Sequence, residues 1–290
     1  MQVLRPVGLG EALSLRSDNE CVPLAGGTDL MVELNFDRRR PAAILDLTDV
    51  AELRACELEG DEIRVGASTT YARLQHELAA ALPGLALAAR TVGSPQIRNR
   101  GTIGGNLGAA SPAGDCHPAL LATRAEVELR SASATRRVPI DDYFLGPKRS
   151  ALASDELITA VLVPRARGPQ QFAKVGTRNA MVIAVCSFAL SLDTDARTVG
   201  SGIGSAGPTP LRAHEAEDFL ASELDEAIAW HGGSGLTDSA ITRFGELVAG
   251  AASPIDDVRG SAAYRRHALA VLAQRTLRWS LAELDASRAA

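Results

Sequence analysis

Between Gly93 and Pro118 the chain carries six glycines and three prolines in 26 residues. That density of helix and strand breakers forbids a long helix or a central strand. Loops of this length inside a compact domain are uncommon and are usually functional or disordered. Ile97, Ile103, Leu107 and a set of alanines are interleaved with the glycines, which favours a folded loop wrapped around a ligand. A shorter glycine turn, Leu24-Ala25-Gly26-Gly27-Thr28-Asp29-Leu30, follows an apolar run and precedes a helical stretch.

Paired glycines let the backbone take positive φ and approach a ligand closely, and a helix start offers free N–H groups to an anion such as phosphate. In the first turn Thr28 adds a hydroxyl, and Asp29 could accept from a ribose or ribityl hydroxyl. An ordinary strand–turn–helix with Asp29 as its cap fits the same residues. The second segment, Arg100-Gly101-Thr102-Ile103-Gly104-Gly105-Asn106-Leu107-Gly108, runs on to Ala110-Ser111-Pro112-Ala113-Gly114-Asp115. Backbone N–H groups, a hydroxyl, an amide and a carboxylate there match the diphosphate and sugars of a dinucleotide. Glycines serving only tight turns are the alternative. Neither segment has the spacing of a P-loop, of the Rossmann dinucleotide fingerprint or of a serine nucleophile elbow.

The whole sequence narrows the chemistry further. It has 290 residues, 46% of them hydrophobic, enough for two domains with cores. The formal charge is −5 and the longest basic run is Arg38-Arg39-Arg40, so the footprint of a nucleic-acid binder is missing. No apolar run is long enough for a bilayer, and the first residues do not read as a secretory signal, so a cytoplasmic protein is expected. Cys21, Cys56, Cys116 and Cys186 are scattered without a Cys-x-x-Cys pair, which rules out a locally built zinc ribbon or iron–sulfur cluster. His76, His117, His214, His231 and His267 have no metal-ligand spacing and are expected at the surface or at caps. Redox chemistry on this chain therefore calls for an organic cofactor. Of the 30 basic residues only Lys148 and Lys174 are lysine. Chance accounts for that, or a compact unforked charge is needed at one of them.

Pattern and breakers give the order of elements. Helices are expected at 10–16, 29–36, 70–81 and 85–92, the third capped by Thr69 or Thr70. Strands are expected at 21–25, 42–47, 62–66, 126–130 and 157–163. Beyond Pro164 come strands at 171–178, 181–192 and 198–206. Helices follow at 212–220, 223–231, 237–251 and 261–286, the last capped by Ser261 with Leu269, Leu272, Leu277 and Leu281 facing a core. The fold class is α+β, with a domain boundary between Pro164 and Gln171.

Taken together, Ala25-Gly26-Gly27-Thr28-Asp29-Leu30, Gln96-Ile97-Arg98-Asn99 with Thr102-Ile103-Gly104-Gly105-Asn106-Leu107, and Ala110-Ser111-Pro112-Ala113-Gly114-Asp115 resemble one family. It is the FAD-binding medium subunit of the molybdenum hydroxylases, the group of xanthine dehydrogenase and aerobic carbon monoxide dehydrogenase. Asp155-Glu156-Leu157-Ile158, Phe172-Ala173-Lys174 and Asp257-Val258-Arg259-Gly260-Ser261-Ala262-Ala263-Tyr264-Arg265 fall in the family's order. The stretches 35–41 and 169–172 look most like bacterial xanthine dehydrogenase FAD subunits.

The resemblance implies an FAD domain of the vanillyl-alcohol-oxidase type at 1–168, in subdomains of about 1–55 and 56–168. It implies a C-terminal domain at 169–290 with a three-stranded antiparallel sheet and a helical bundle. It carries FAD contacts to Pro23, Leu24, Ala25, Gly26, Gly27, Thr28, Asp29 and Leu30, to Thr102, Ile103, Gly104, Gly105 and Asn106, and to Asp115, Ile158 and Lys174. Lys174 is expected beside the isoalloxazine, stabilising the reduced anionic flavin. The implied mechanism is a relay. A molybdopterin-binding large subunit oxidises a purine such as xanthine, a 2Fe–2S small subunit carries electrons to this FAD, and an acceptor, NAD, receives the pair. Two other readings stand beside it: a self-contained FAD-dependent oxidase or dehydrogenase of the vanillyl-alcohol-oxidase type, and a non-catalytic nucleotide-binding protein. Turnover without partners marks the first, and a bound nucleotide without flavin the second.

Overall fold

Short strands separated by one helix of ten residues and one of six build the N-terminal module, a β–α–β pattern. Strands β1 (Gln2–Leu4), β2 (Cys21–Leu24) and β3 (Ala43–Asp46) alternate with helices α1 (Leu9–Asp18) and α2 (Leu30–Asn35). The strands pair in parallel in the order β1-β3-β2. Leu9, Ala12 and Leu13 of α1 lie on one face and bury against Leu45, Leu47 and Val50. The computed structural model describes every residue except 180, 233, 234 and 290.

The second module is an antiparallel five-stranded sheet covered by helices. Its strands are β4 (Cys56–Glu59), β5 (Glu62–Gly66), β6 (Glu126–Arg130), β7 (Thr135–Pro139) and, after the β8 (Phe144–Gly146) and β9 (Arg149–Ser150) ribbon, β10 (Leu157–Pro164). They pair in the order β4-β5-β10-β6-β7. β10 is central and buried from Leu157 to Val163, as its unbroken apolar run requires. Helix α3 (Tyr71–Glu77) starts at Thr70, whose hydroxyl accepts from the Arg73 N–H at 3.3 Å. It ends before residue 81, because the chain turns at Leu78 to enter α4 (Pro83–Thr91) with Pro83 in the first helical turn.

The glycine-rich stretch is not a loop. It folds as three short helices, α5 (Pro95–Arg100), α6 (Ile103–Ala109) and α7 (Cys116–Ala122). Ser94 and Thr102 cap the first two, accepting from the Ile97 and Gly105 N–H groups at 3.4 and 3.0 Å. Pro95 and Pro118 sit in first turns, where a missing N–H costs nothing. Breaker density thus set the length of the helices rather than excluding them. A four-residue helix, α8 (Ile140–Tyr143), follows β7.

Between Pro164 and Gln170 the chain passes into a third module. There β11 (Gln170–Val175), β12 (Cys186–Asp193) and β13 (Thr198–Gly204) form an antiparallel meander. It packs on α9 (His214–Glu226), α10 (Asp238–Ala251) and α11 (Ala262–Ala289) around Phe188, Phe244, Leu269 and Leu277. Two strands are shorter than their apolar runs: β11 ends at Val175 and β12 starts at Cys186, and Arg178 donates to the Met181 carbonyl at 2.8 Å. The stretches 212–220 and 223–231 merge, with no glycine or proline between them, into one helix α9 that ends at Glu226, short of the expected 231. Ser261 does cap α11, accepting from the Tyr264 N–H at 3.2 Å. Leu269, Leu272 and Leu277 are buried, and Leu281 packs at the core's edge.

The modules are tied directly. Helix α7 lies against β13, where Gly202 leaves no Cβ to strike the Pro118 carbonyl. Arg212 bonds Asp141 at 3.0 Å, and Ser205 N–H donates to the Pro112 carbonyl at 2.9 Å. Arg265, 1% exposed, closes the third module. It donates to the Val185 and Ser205 carbonyls at 2.8 and 2.6 Å and to Asp257 at 2.5 Å. Arg265→Met leaves the buried Val185 and Ser205 carbonyls without their donor, while the part-exposed Asp257 keeps Arg259, so it should lower stability by about 2 kcal/mol. The urea unfolding midpoint measures it, and an unchanged midpoint would show that water replaces the guanidinium there.

Candidate cofactor-binding site

Gly26 decides how the site is built. A Cβ on Gly26 would overlap the carbonyl oxygen of Arg100, so the turn after β2 lies directly on the α5–α6 junction. Gly27 holds φ at +76°, a conformation that favours glycine. The two glycine segments, about seventy residues apart in sequence, are therefore in contact. Beside them opens a cavity of about 850 Å³, toward the upper end of small-molecule sites.

All of Pro23 through Leu30 lines the cavity. The N–H groups of Gly26, Gly27, Thr28, Asp29 and Leu30 have no partner in the protein among the described residues. Asp29 occupies the N-cap position of α2, yet its carboxylate makes no capping bond. The plain cap alternative for this turn is thus not what the side chain does. The residues that carry these five open amides, a hydroxyl and a non-capping carboxylate line one cavity.

The second segment contributes differently from expectation. The N–H groups of Ile103, Gly104, Gly105 and Asn106 are all spent inside the protein, on Thr69 O, Ala67 O, Thr102 Oγ1 and Thr102 O. They close the first turn of α6 and are not a ready row of donors. Thr102, Gly104, Gly105 and Asn106 still line the cavity, whereas Ile103 is fully buried in the core behind it. What this segment offers is the Thr102 hydroxyl, the Asn106 amide and a bare helix surface at Gly105 and Gly108.

Two buried oxygens at this wall lack partners: Asn106 Oδ1 and Asp115 Oδ1. Orphaned buried acceptors cost of order 1–3 kcal/mol each, and they are satisfied when a ligand brings N–H or O–H groups. Asp115 uses its other oxygen, Oδ2, on Lys174 Nζ at 2.6 Å and on the Thr91 hydroxyl at 3.1 Å. Burial pushes its carboxyl up from the ordinary range, and Lys174 and then Thr91 oppose that shift. Lys174 itself is absent from the wall. Its ammonium donates to Asp115 and to the Thr91 carbonyl at 3.1 Å.

Other lining residues were not singled out from the sequence as contacts. Tyr71 stands against Gly101, and Arg16, Arg39 and Arg178 add positive charge at the wall. Lys148, the other lysine, also lines it, bonded to Glu33 at 3.1 Å. Arg178, Met181, Val182 and Ile183 come from the third module, so the cavity is shared between domains. Ile158 and Leu157 supply apolar wall from β10. Rarity of lysine was the one available signal for Lys148.

His117, expected at the surface, is fully buried in α7. Its ring packs against Phe144 with centroids 4.6 Å apart, and Nε2 lies 3.2 Å from the Asn106 carbonyl. Burial pulls its pKa down to about 4, against the opposing bond to the Asn106 carbonyl. The ring is therefore neutral near pH 7.

A dinucleotide fits these residues: open amides for a diphosphate, orphaned acceptors for sugar or ring hydrogens, and aliphatic wall for a flat ring. The family model described as "FAD binding domain in molybdopterin dehydrogenase" matches residues 1–166. A second, "CO dehydrogenase flavoprotein C-terminal domain", matches residues 171–280. The chain is 34% identical over 281 residues to the nicotine 6-hydroxylase medium subunit of Paenarthrobacter nicotinovorans, covering 94% of each. It is 34% identical to the xanthine dehydrogenase FAD-binding subunit of Escherichia coli O157:H7, covering 73% of this chain and 76% of that one. The structure of reconstituted CO dehydrogenase from Oligotropha carboxidovorans superposes with TM-score 0.87 at 27% identity, covering 98% of both chains.

Two outcomes follow from the geometry. Gly26→Ala must part the two turns and should weaken FAD retention at least tenfold, whereas Gly10→Ala, with open space around it, should not. Fluorescence titration with FAD reads both, and equal affinity in the two variants would contradict the contact. His117 titrates near 6.5 when unfolded and at about 4 when folded. The unfolded chain thus binds the proton more readily between those values. Stability is full above the unfolded pKa and falls by about 3 kcal/mol as pH drops toward 4. The melting temperature of His117→Gln should fall less over that window than that of the wild type; an equal fall would place the acid sensitivity elsewhere.

Proposed function

This chain belongs to the FAD-binding medium subunits of the molybdenum hydroxylases, the family of xanthine and carbon monoxide dehydrogenases, and from that premise we propose that its cavity holds FAD as the relay of a multi-subunit oxidoreductase. The observation that carries the reading is the cavity itself, with five unpartnered amides on one side and two orphaned carbonyl-type oxygens on the other. FAD, when bound, supplies the exchange between single electrons and an electron pair.

The chain's own residues bind and orient. The amides of Gly26 to Leu30 and the Thr28 and Thr102 hydroxyls are placed for the diphosphate and the adjoining sugar. Asn106 and Asp115 accept from polar hydrogens of the cofactor, and Ile158 packs on it. The two β-containing modules flanking the cavity correspond to the subdomains of a vanillyl-alcohol-oxidase-type FAD domain. The third module covers the site with Arg178, Met181, Val182 and Ile183 and keeps water from that side.

The partners in this reading are a molybdopterin-binding large subunit and a 2Fe–2S small subunit, with NAD as the acceptor. The two relatives at 34% identity act, by their names, on nitrogen heterocycles, which supports a substrate of that class, a purine such as xanthine among them. No helix among the described residues is long and apolar enough to cross a membrane.

Purification of the chain from its native host, with mass identification of co-purifying subunits and chromatography of released cofactors, tests the proposal. The expected result is FAD on this chain, two companion subunits, and NAD reduction on addition of xanthine or another N-heterocycle. An isolated chain that turns over an organic substrate alone, or one that carries a nucleotide without flavin, would overturn it.

A further inference from the structure

Among the described residues, the Lys174–Asp115 pair is one of two ion pairs, with Arg212–Glu217, in which both side chains are less than a tenth exposed. The Lys174 and Asp115 side chains are each 8% exposed, and the pair joins β11 of the third module to the start of α7 in the second. The ammonium also donates to the Thr91 carbonyl at 3.1 Å. These bonds occupy one carboxylate oxygen, Oδ2, and leave the buried Oδ1 of a cavity-lining residue without a partner.

A buried ion pair used only for cohesion gains most when every lone pair is satisfied. Here one oxygen is left over where a ligand would sit. The choice of cation bears on this, since basic positions in the chain are almost all arginine. A guanidinium prefers to grip both oxygens of a carboxylate, whereas an ammonium is a point charge that can serve one. Lysine at this place supplies the charge without consuming Oδ1.

We propose that Lys174 is a positioning residue that reaches across the domain boundary and holds Asp115 as a carboxylate with Oδ1 reserved for a polar hydrogen of the bound flavin dinucleotide. The cofactor site is complete only when the third module is docked. This rests on the reading of the cavity as an FAD site, and it moves Lys174 from a direct flavin contact to a role through Asp115.

A double-mutant cycle on the full chain tests it, with FAD as the probe. FAD affinity is read by fluorescence, and the setting of the ring by visible circular dichroism of the bound flavin. Lys174→Met and Asp115→Asn should each weaken FAD by about 30-fold, the lower end for removing one member of a buried charge pair. The double variant should be no weaker than Asp115→Asn, because Lys174 acts through Asp115. Lys174→Arg keeps the charge and takes both carboxylate oxygens. It should therefore weaken FAD and alter the dichroism while the cofactor-free melting temperature holds, and it stands in if Lys174→Met does not fold. Additive effects in the cycle, or wild-type affinity in Lys174→Arg, would overturn the proposal while leaving the FAD reading intact. A wild-type chain that does not bind FAD would sink both.

Discussion

The backbone of Gly26 rests on the carbonyl of Arg100, and the site exists because it does. One turn hangs from a small parallel sheet and the other from helices covering a larger antiparallel one. With any side chain at residue 26 the two would stand apart, and the open amides of residues 26–30 would face solvent rather than a cavity. A close approach of two backbones, available only where a Cβ is missing, thus converts two separate modules into one binding wall.

The two turns then divide the labour in a way their similar composition conceals. The first keeps its N–H groups open, because α2 begins only at Leu30 and no side chain caps it. The second spends its N–H groups on Thr69, Ala67 and Thr102 and becomes a helix. It offers side-chain oxygens and a smooth glycine surface instead. The third module adds the charge that steadies Asp115, through strand β11, which packs on α4 and bonds its Thr91 carbonyl.

Much of this was legible in the chain. The strands at 21–25, 42–47, 62–66, 126–130 and 157–163 and the long C-terminal helix emerge from apolar periodicity, because each buries one face or both. β1, β8 and β9 were not legible because two or three residues show no period, and β4 and β7 because all but one of their residues lie at or near the surface. The stretch from Gly93 to Pro118 read as a loop because breakers mark where helices end without showing that short ones form between them. His117 looked polar and therefore exposed; only the packing of Phe144 and Gly114 around it makes a neutral ring belong inside. Within the site, fourteen of the sixteen residues carried over from the resemblance line the cavity, and Ile103 and Lys174 stand behind it. Spacing along a chain fixes neither which side of a helix faces in nor which oxygen of a carboxylate an ammonium takes.

A crystal structure of the chain loaded with FAD tests the central claim most directly. The diphosphate should lie within hydrogen-bonding distance of the amides between Gly26 and Leu30, with Asn106 and Asp115 accepting from the cofactor. A nucleotide seated instead in the neighbouring polar cleft between Arg16–Val22 and Arg39–Ala42, with those amides still unpaired, would contradict it.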